Sequence, residues 1–185
     1  MILIINCGST KSPHILDHCL RHAEAKMIDL THFTSKDLQG ITALVISGAP
    51  ILVTEVETDP YLNQFDFLKT FKLPVLGICF GHQILGMIHG ANASRCDEDR
   101  TWQKISTLSD HFLFKNLSPD FDMIEDHCEC IDLPKEFNLL ASSTICQNEV
   151  MIHQSKPYVG VQFHPEVSED NGVQFFDNFF NNFLA

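Results

Sequence analysis

Positive charge is scarce in this sequence. Lysine and arginine number 12 against 24 aspartate and glutamate, which leaves a formal net charge of −12 over 185 residues and a pI near 5.1. Such a balance repels phosphate backbones and anionic lipid, and no basic patch interrupts it, so neither a nucleic-acid nor a membrane-surface partner is expected. Long apolar runs are missing as well. Met1 to Ile5 is apolar but lacks a basic flank and stops at Asn6-Cys7-Gly8, too short for a signal segment or a spanning helix. A cytoplasmic location is the expectation. Low-complexity tracts, internal repeats and a phosphate-cradling Walker loop are also absent. The seven cysteines are an odd number spread over the whole chain, which argues for reduced thiols rather than a secreted disulfide framework.

What is present suits one domain over residues 1–185. Apolar residues make up 44% and charged residues 19%, and a chain of this length builds a full core without staples. Apolar runs rich in β-branched residues at Ile2–Ile5, Ala43–Ile46, Val75–Ile78 and Val159–Phe163 predict buried strands. Helical spacing links Ile15, Cys19 and Ala23 after Ser12-Pro13, and Leu62, Phe65 and Leu68 before Leu73-Pro74. A third helix should start after Cys79 and end at His89-Gly90, where glycine suits a left-handed cap. A last helix carries Val173, Phe176, Phe179, Phe180 and Phe183. From Trp102 to Met151 the strands are shorter and turns more frequent, so antiparallel pieces should join the main sheet there. The expected class is α/β, a mostly parallel open sheet with helices on both faces.

The most informative stretch is Gly77-Ile-Cys79-Phe-Gly81-His-Gln83. A cysteine between two glycines, where a strand runs into a helix, describes a nucleophile elbow that presents its thiol at the strand's carboxyl end. The helix N-terminus behind it favours thiolate, the reactive form. Such a nucleophile needs a base, and the base needs an orienting group. Gly160-Val-Gln-Phe-His164-Pro-Glu166 offers both, with His164 delivered to the sheet edge that also carries Cys79. Proline stiffens the turn so that Glu166 can hold the imidazole in one tautomer.

Together with Ser47-Gly48-Ala49-Pro50, these two segments resemble a class I, triad-type glutamine amidotransferase domain, whose fold is flavodoxin-like. The resemblance spans essentially the whole chain. It implies Cys79 as nucleophile, His164 as general base and then acid, and Glu166 as the group orienting His164. It further implies an oxyanion hole from the backbone N–H groups of Gly48 and Phe80, and substrate binding by Gln83 and Glu129. Within the family, Asp126-His127-Cys128-Glu129, Leu133-Pro-Lys-Glu-Phe137 and Tyr158-Val-Gly-Val-Gln162 most resemble the glutaminase part of GMP synthases. The expected reaction is hydrolysis of the amide of L-glutamine through a Cys thioester, with ammonia passed to a synthetase chain and no cofactor required. The alternatives are a stand-alone γ-glutamyl amidase or peptidase, and a regulatory module that has lost catalysis.

Three positions depart from the pattern. Ala49 stands where the family's oxyanion loop has a second glycine, and a positive φ there would strain the loop. Asp126 and Glu129 replace the usual Ser and Asp. His111, His127, Cys128 and Cys130 have donor types suited to zinc, but their spacing is not that of common structural sites, and no metal is expected. His82 and His89, seven residues apart, fall on one helix face in a core or interface role. The terminal phenylalanine stripe is read as core packing, or as cover for a partner in a homo-oligomer.

Overall fold

The computed structural model describes residues 1–184. In chain order the elements are β1 (Ile2–Asn6), α1 (Ser12–Leu20), β2 (Ala25–Asp29), β3 (Ala43–Ile46), α2 (Asp59–Phe65), β4 (Val75–Ile78), α3 (Phe80–Ile88) and β5 (Ala93–Asp99). They continue as β6 (Trp102–Thr107), β7 (Asp120–Ile124), β8 (His127–Ile131), β9 (Phe137–Ser142), β10 (Val150–His153), β11 (Tyr158–Val161) and α4 (Glu169–Phe183).

Nine strands form one sheet in the order β2-β1-β3-β4-β11-β10-β9-β6-β7. From β2 to β11 every pairing is parallel. Beyond β11 the pairings turn antiparallel, within the segment whose short strands predicted it. The remaining two strands, β5 and β8, make a separate antiparallel ribbon.

The parallel strands are buried on both faces, which is why their sequences read as unbroken apolar runs. Ile2 and Ile4 pack with Ile15 of α1 and Phe175, Phe176, Phe179 and Phe180 of α4. Leu3 and Ile5, one residue out of phase, pack on the other side with Phe65 of α2 and Ile84 and Leu85 of α3. Phe175, Phe176, Phe179 and Phe180 of the stripe are therefore core, with Phe183 partly buried beside them. No described helix is long and apolar enough to cross a membrane.

Two local expectations need adjustment. Ala25–Asp29 forms a strand that periodicity misses, because at the sheet edge none of its residues is fully buried and Lys26 and Asp29 are exposed. The last parallel strand ends at Val161, so Gln162 and Phe163 already belong to the turn that carries His164.

Candidate active site

Strand ends assemble the site. β3, β4 and β11 are neighbours in the parallel half, and Gly48, Cys79 and His164 follow their carboxyl ends, at the edge where open α/β sheets place their chemistry. Cys79 joins β4 directly to α3 and adopts φ 51° and ψ −106°, a backbone conformation that non-glycine residues avoid. Strain of this kind costs on the order of 1–3 kcal/mol and persists where the surroundings impose it. Here they do. The Cys79 amide donates to Val161 O at 2.8 Å, and its carbonyl accepts the Gln83 amide at 3.0 Å.

The flanking glycines follow from the same crowding. A Cβ on Gly77 would lie 2.5 Å from Gly81 O, and one on Gly81 would lie 2.3 Å from Ile46 O. Neither contact is physically available, so the elbow can close only with glycine at both positions. Gly48 is also confined: a Cβ there would sit 3.1 Å from His164 Cε1 and 3.6 Å from Cys79 Cβ. Ala49 does not adopt a positive φ, and the strain anticipated at that position does not arise.

His164 Nδ1 lies 2.7 Å from Glu166 Oε1, with both side chains buried. The ring's backbone is held from two sides, its N–H donating to Ile124 O at 2.8 Å and its carbonyl accepting the Ser168 hydroxyl at 2.7 Å. Burial pushes the imidazole towards neutrality, but the charges of Glu166 and of Cys79 outweigh it and raise the pKa to about 10. The protonated ring is thus stabilised between a carboxylate and a sulfur.

The structure brings Gln83 and Glu129 to one cavity of about 340 Å³, together with Ala49, Pro50, Asp126 and His127. A smaller cavity, lined by Ser9, Lys11 and His164, shares Ala49, Pro50 and Asp126 with it, so the two form one cleft leading to the imidazole. Gln83 Nε2 donates to Gln162 Oε1 at 3.3 Å and to Glu129 O at 3.4 Å. The Glu129 carboxylate accepts the amides of Val53 at 2.8 Å and Thr54 at 2.9 Å, and the Thr54 hydroxyl as well. It clasps the loop that forms the cavity's far wall. Asp126 bridges Lys11 and Arg100, each at 2.5 Å, and stays below the usual carboxylate range because these cations outweigh its partial burial.

One residue of the site carried no expectation. Gln162 sits inside the quoted motif, yet only the structure shows its Nε2 3.7 Å from Cys79 Sγ. His82, by contrast, is wholly buried in the packing behind the elbow, and a Cβ on Gly160 would meet its Nδ1 at 2.5 Å. His89 Nδ1 donates to the Glu136 carboxylate at 2.7 Å, and the ring packs on Phe137. Both keep the core roles expected of them.

A thiol raised on a strand-to-helix elbow, with a buried His–Glu pair at the adjoining strand end, defines a class: α/β proteins built for acyl transfer through cysteine. Comparison with known families matches residues 3–183 to glutamine amidotransferase class-I. The chain belongs to that family. Among its relatives, a glutamine-hydrolyzing GMP synthase subunit of Methanococcus aeolicus is 34% identical over 97% of this chain and 95% of its own. The corresponding subunit of Methanocaldococcus jannaschii is 35% identical over 79% of this chain and 74% of its own. A crystal structure from Thermoplasma acidophilum, of a candidate GMP synthase subunit, superposes with a TM-score of 0.88 at 28% identity, covering 97% of this chain and 92% of that one.

Proposed function

We propose that this chain hydrolyses the side-chain amide of L-glutamine and supplies the ammonia to a synthetase chain, which a two-chain GMP synthase requires. The reading rests above all on the elbow: Cys79 is held at φ 51° beside a buried His164 that Glu166 orients at 2.7 Å. In this scheme the Cys79 thiolate attacks the amide carbon, and the N–H groups of Gly48 and Phe80 receive the negative charge that develops on oxygen. The Phe80 N–H suits this role, since the first N–H groups of a helix lack partners within it. His164 then gives its proton to the departing nitrogen, ammonia leaves, and a glutamyl thioester remains. Water, deprotonated by the now neutral His164, attacks the thioester carbon and releases glutamate and the thiolate.

Gln83 and Glu129 are assigned to the wall that receives the amino-acid end of the substrate. Glu129 acts there through the loop it clasps as much as through its charge. The synthetase chain is assigned on the GMP synthase relatives and on the lack of a nucleotide-binding loop in this sequence.

Intact-mass analysis after incubation with a glutamine-mimicking diazo-ketone tests the reading. A single adduct on Cys79, absent from Cys79→Ala, is expected. Modification elsewhere, or none while the protein is folded and a synthetase chain is supplied, overturns it. Robust turnover of other γ-glutamyl amides by the lone chain would instead mark a stand-alone amidase.

A further inference from the structure

Behind the wall of the glutamine cavity, the β5–β8 ribbon gathers sulfur and nitrogen donors from three separate segments. Cys96 lies on β5, His127 and Cys130 on β8, and Cys146 in the turn after β9. The Cys96 Sγ, the Cys130 Sγ and one ring nitrogen of His127 all fall within 4.8 Å of one another. Cys96 Sγ and His127 Nδ1 are 3.6 Å apart. Zinc with bonds of about 2.3 Å to sulfur and 2.0–2.1 Å to nitrogen places two tetrahedral ligands about 3.6 Å apart for sulfur and nitrogen. The pair therefore already stands at ligand separation. A register shift between Arg95 and Asp99 spans Cys96, and irregularities of this kind re-aim a side chain out of the regular alternation.

The other nitrogen of the same ring is also provided for. His127 Nε2 lies 3.2 Å from the Glu125 carboxylate, and both side chains are almost fully buried. A carboxylate on one ring nitrogen with a metal on the other is the usual way a metal-binding histidine is oriented. Charge points the same way. Glu125 and Glu149 are buried side by side, and apart from the His127 ring beside Glu125 no donor reaches their carboxylate oxygens. Two carboxyl and two thiol groups surround one imidazole there, a donor set that a bound cation matches.

We infer that Cys96, His127 and Cys130 form a three-ligand site for a thiophilic divalent cation of the zinc type, with the fourth position left to water. Binding sets the unprotonated His127 Nδ1 and the two sulfurs, as thiolates, on the ion, with any thiol proton released to solvent, while Nε2 keeps its own proton facing Glu125. Cys128 is not part of the set. Its sulfur accepts from Arg95 at 2.8 Å. His111 is not part of it either, since it caps the short turn at Phe112–Phe114. The site is distinct from the Cys79 thiol, yet His127 belongs to both the cluster and the cavity wall, so the ion would stiffen the ribbon against which glutamine is proposed to bind.

Cobalt(II) reports on this directly. Reduced, chelator-treated protein should take up one Co²⁺ per chain with a sulfur-to-cobalt charge-transfer band and intense tetrahedral d–d bands, and one equivalent of Zn²⁺ should bleach both. Cys79→Ala and Cys128→Ser should keep that spectrum, and Cys130→Ser should lose it. Because Cys130→Ser can fail to fold, the unaltered chain gives a second reading: Zn²⁺ should slow alkylation of Cys96 and Cys130 at least tenfold and leave Cys128 unchanged. Cobalt bound without charge-transfer absorption would place the ion on the Glu125 and Glu149 carboxylates and overturn the assignment. Alkylation of Cys96 and Cys130 at the same rate with and without Zn²⁺ would overturn it as well.

Discussion

His164 and Glu166 are two residues apart in sequence and 2.7 Å apart through Nδ1 and Oε1, in a pocket where neither is open to solvent. The intervening Pro165 begins a short turn that points both side chains inward. This pairing governs the charge of the imidazole. Glu166→Gln keeps the shape and removes the charge, so the His164 pKa should fall from about 10 towards or below its ordinary value. Turnover should drop by roughly 10²- to 10⁴-fold, the range of a lost acid–base function. NMR titration of the ring, with kcat measured against pH, checks both.

The same pairing makes stability depend on pH. A histidine whose pKa is raised in the folded state adds stability that is complete below about 6.5 and fades as pH rises through about 10. The urea midpoint difference between the natural protein and Glu166→Gln should therefore be largest near pH 6 and shrink by pH 10. A constant difference across that window would show that packing, not charge, is lost.

Gly81→Ala should damage the elbow mechanically. The new methyl would meet Ile46 O at 2.3 Å, in backbone that belongs to the central sheet and has no room to yield. We expect a stability loss of about 1–3 kcal/mol, as for overpacked cores, and near-complete loss of Cys79 alkylation by the diazo-ketone. Denaturant melts and intact mass measure the two effects.

Glu129→Ala removes the acceptor shared by Val53, Thr54 and the Thr54 hydroxyl. Hydrogen bonds to a charged group contribute about 1.5–3 kcal/mol each, and two backbone amides would lose their partner in or near the interior. A higher KM for glutamine, with faster amide exchange at residues 53 and 54, is expected. Exchange unchanged at those amides would refute the clasp.

Asp126→Ser should matter much less. Its ion pairs with Lys11 and Arg100 sit at the mouth of the cleft, where Arg100 is largely exposed, and such pairs contribute at most about 1 kcal/mol. The melting temperature should shift by a few degrees at low salt and by nothing measurable near 1 M salt.

The parallel half of the fold was legible because burial on two faces erases alternation, leaving Ile2–Ile5, Ala43–Ile46 and Val75–Ile78 as plain apolar runs. Gly77 and Gly81 were legible for a steric reason, since no side chain fits at either position, and Cys79 between them for its chemistry. The edge strand Ala25–Asp29 was not, because exposure gave it a polar pattern. The zinc-type cluster was half legible. The sequence drew attention to His127 and Cys130 together with His111 and Cys128, but Cys96, the third donor that meets them, is joined across a ribbon whose irregular register no sequence pattern announces.

The order of strands in the sheet carries a consequence for the chain during its synthesis. β1, β2, β3 and β4 lie together in the first half of the sequence, but the strand beside β4 is β11, made last, and it delivers His164 against Cys79. Until β11 is made, a nascent chain lacks both the base and the Val161 carbonyl that receives the Cys79 amide. Emerging from the ribosome it is chemically silent, and glutamine is safe from it until the final parallel strand slides into place.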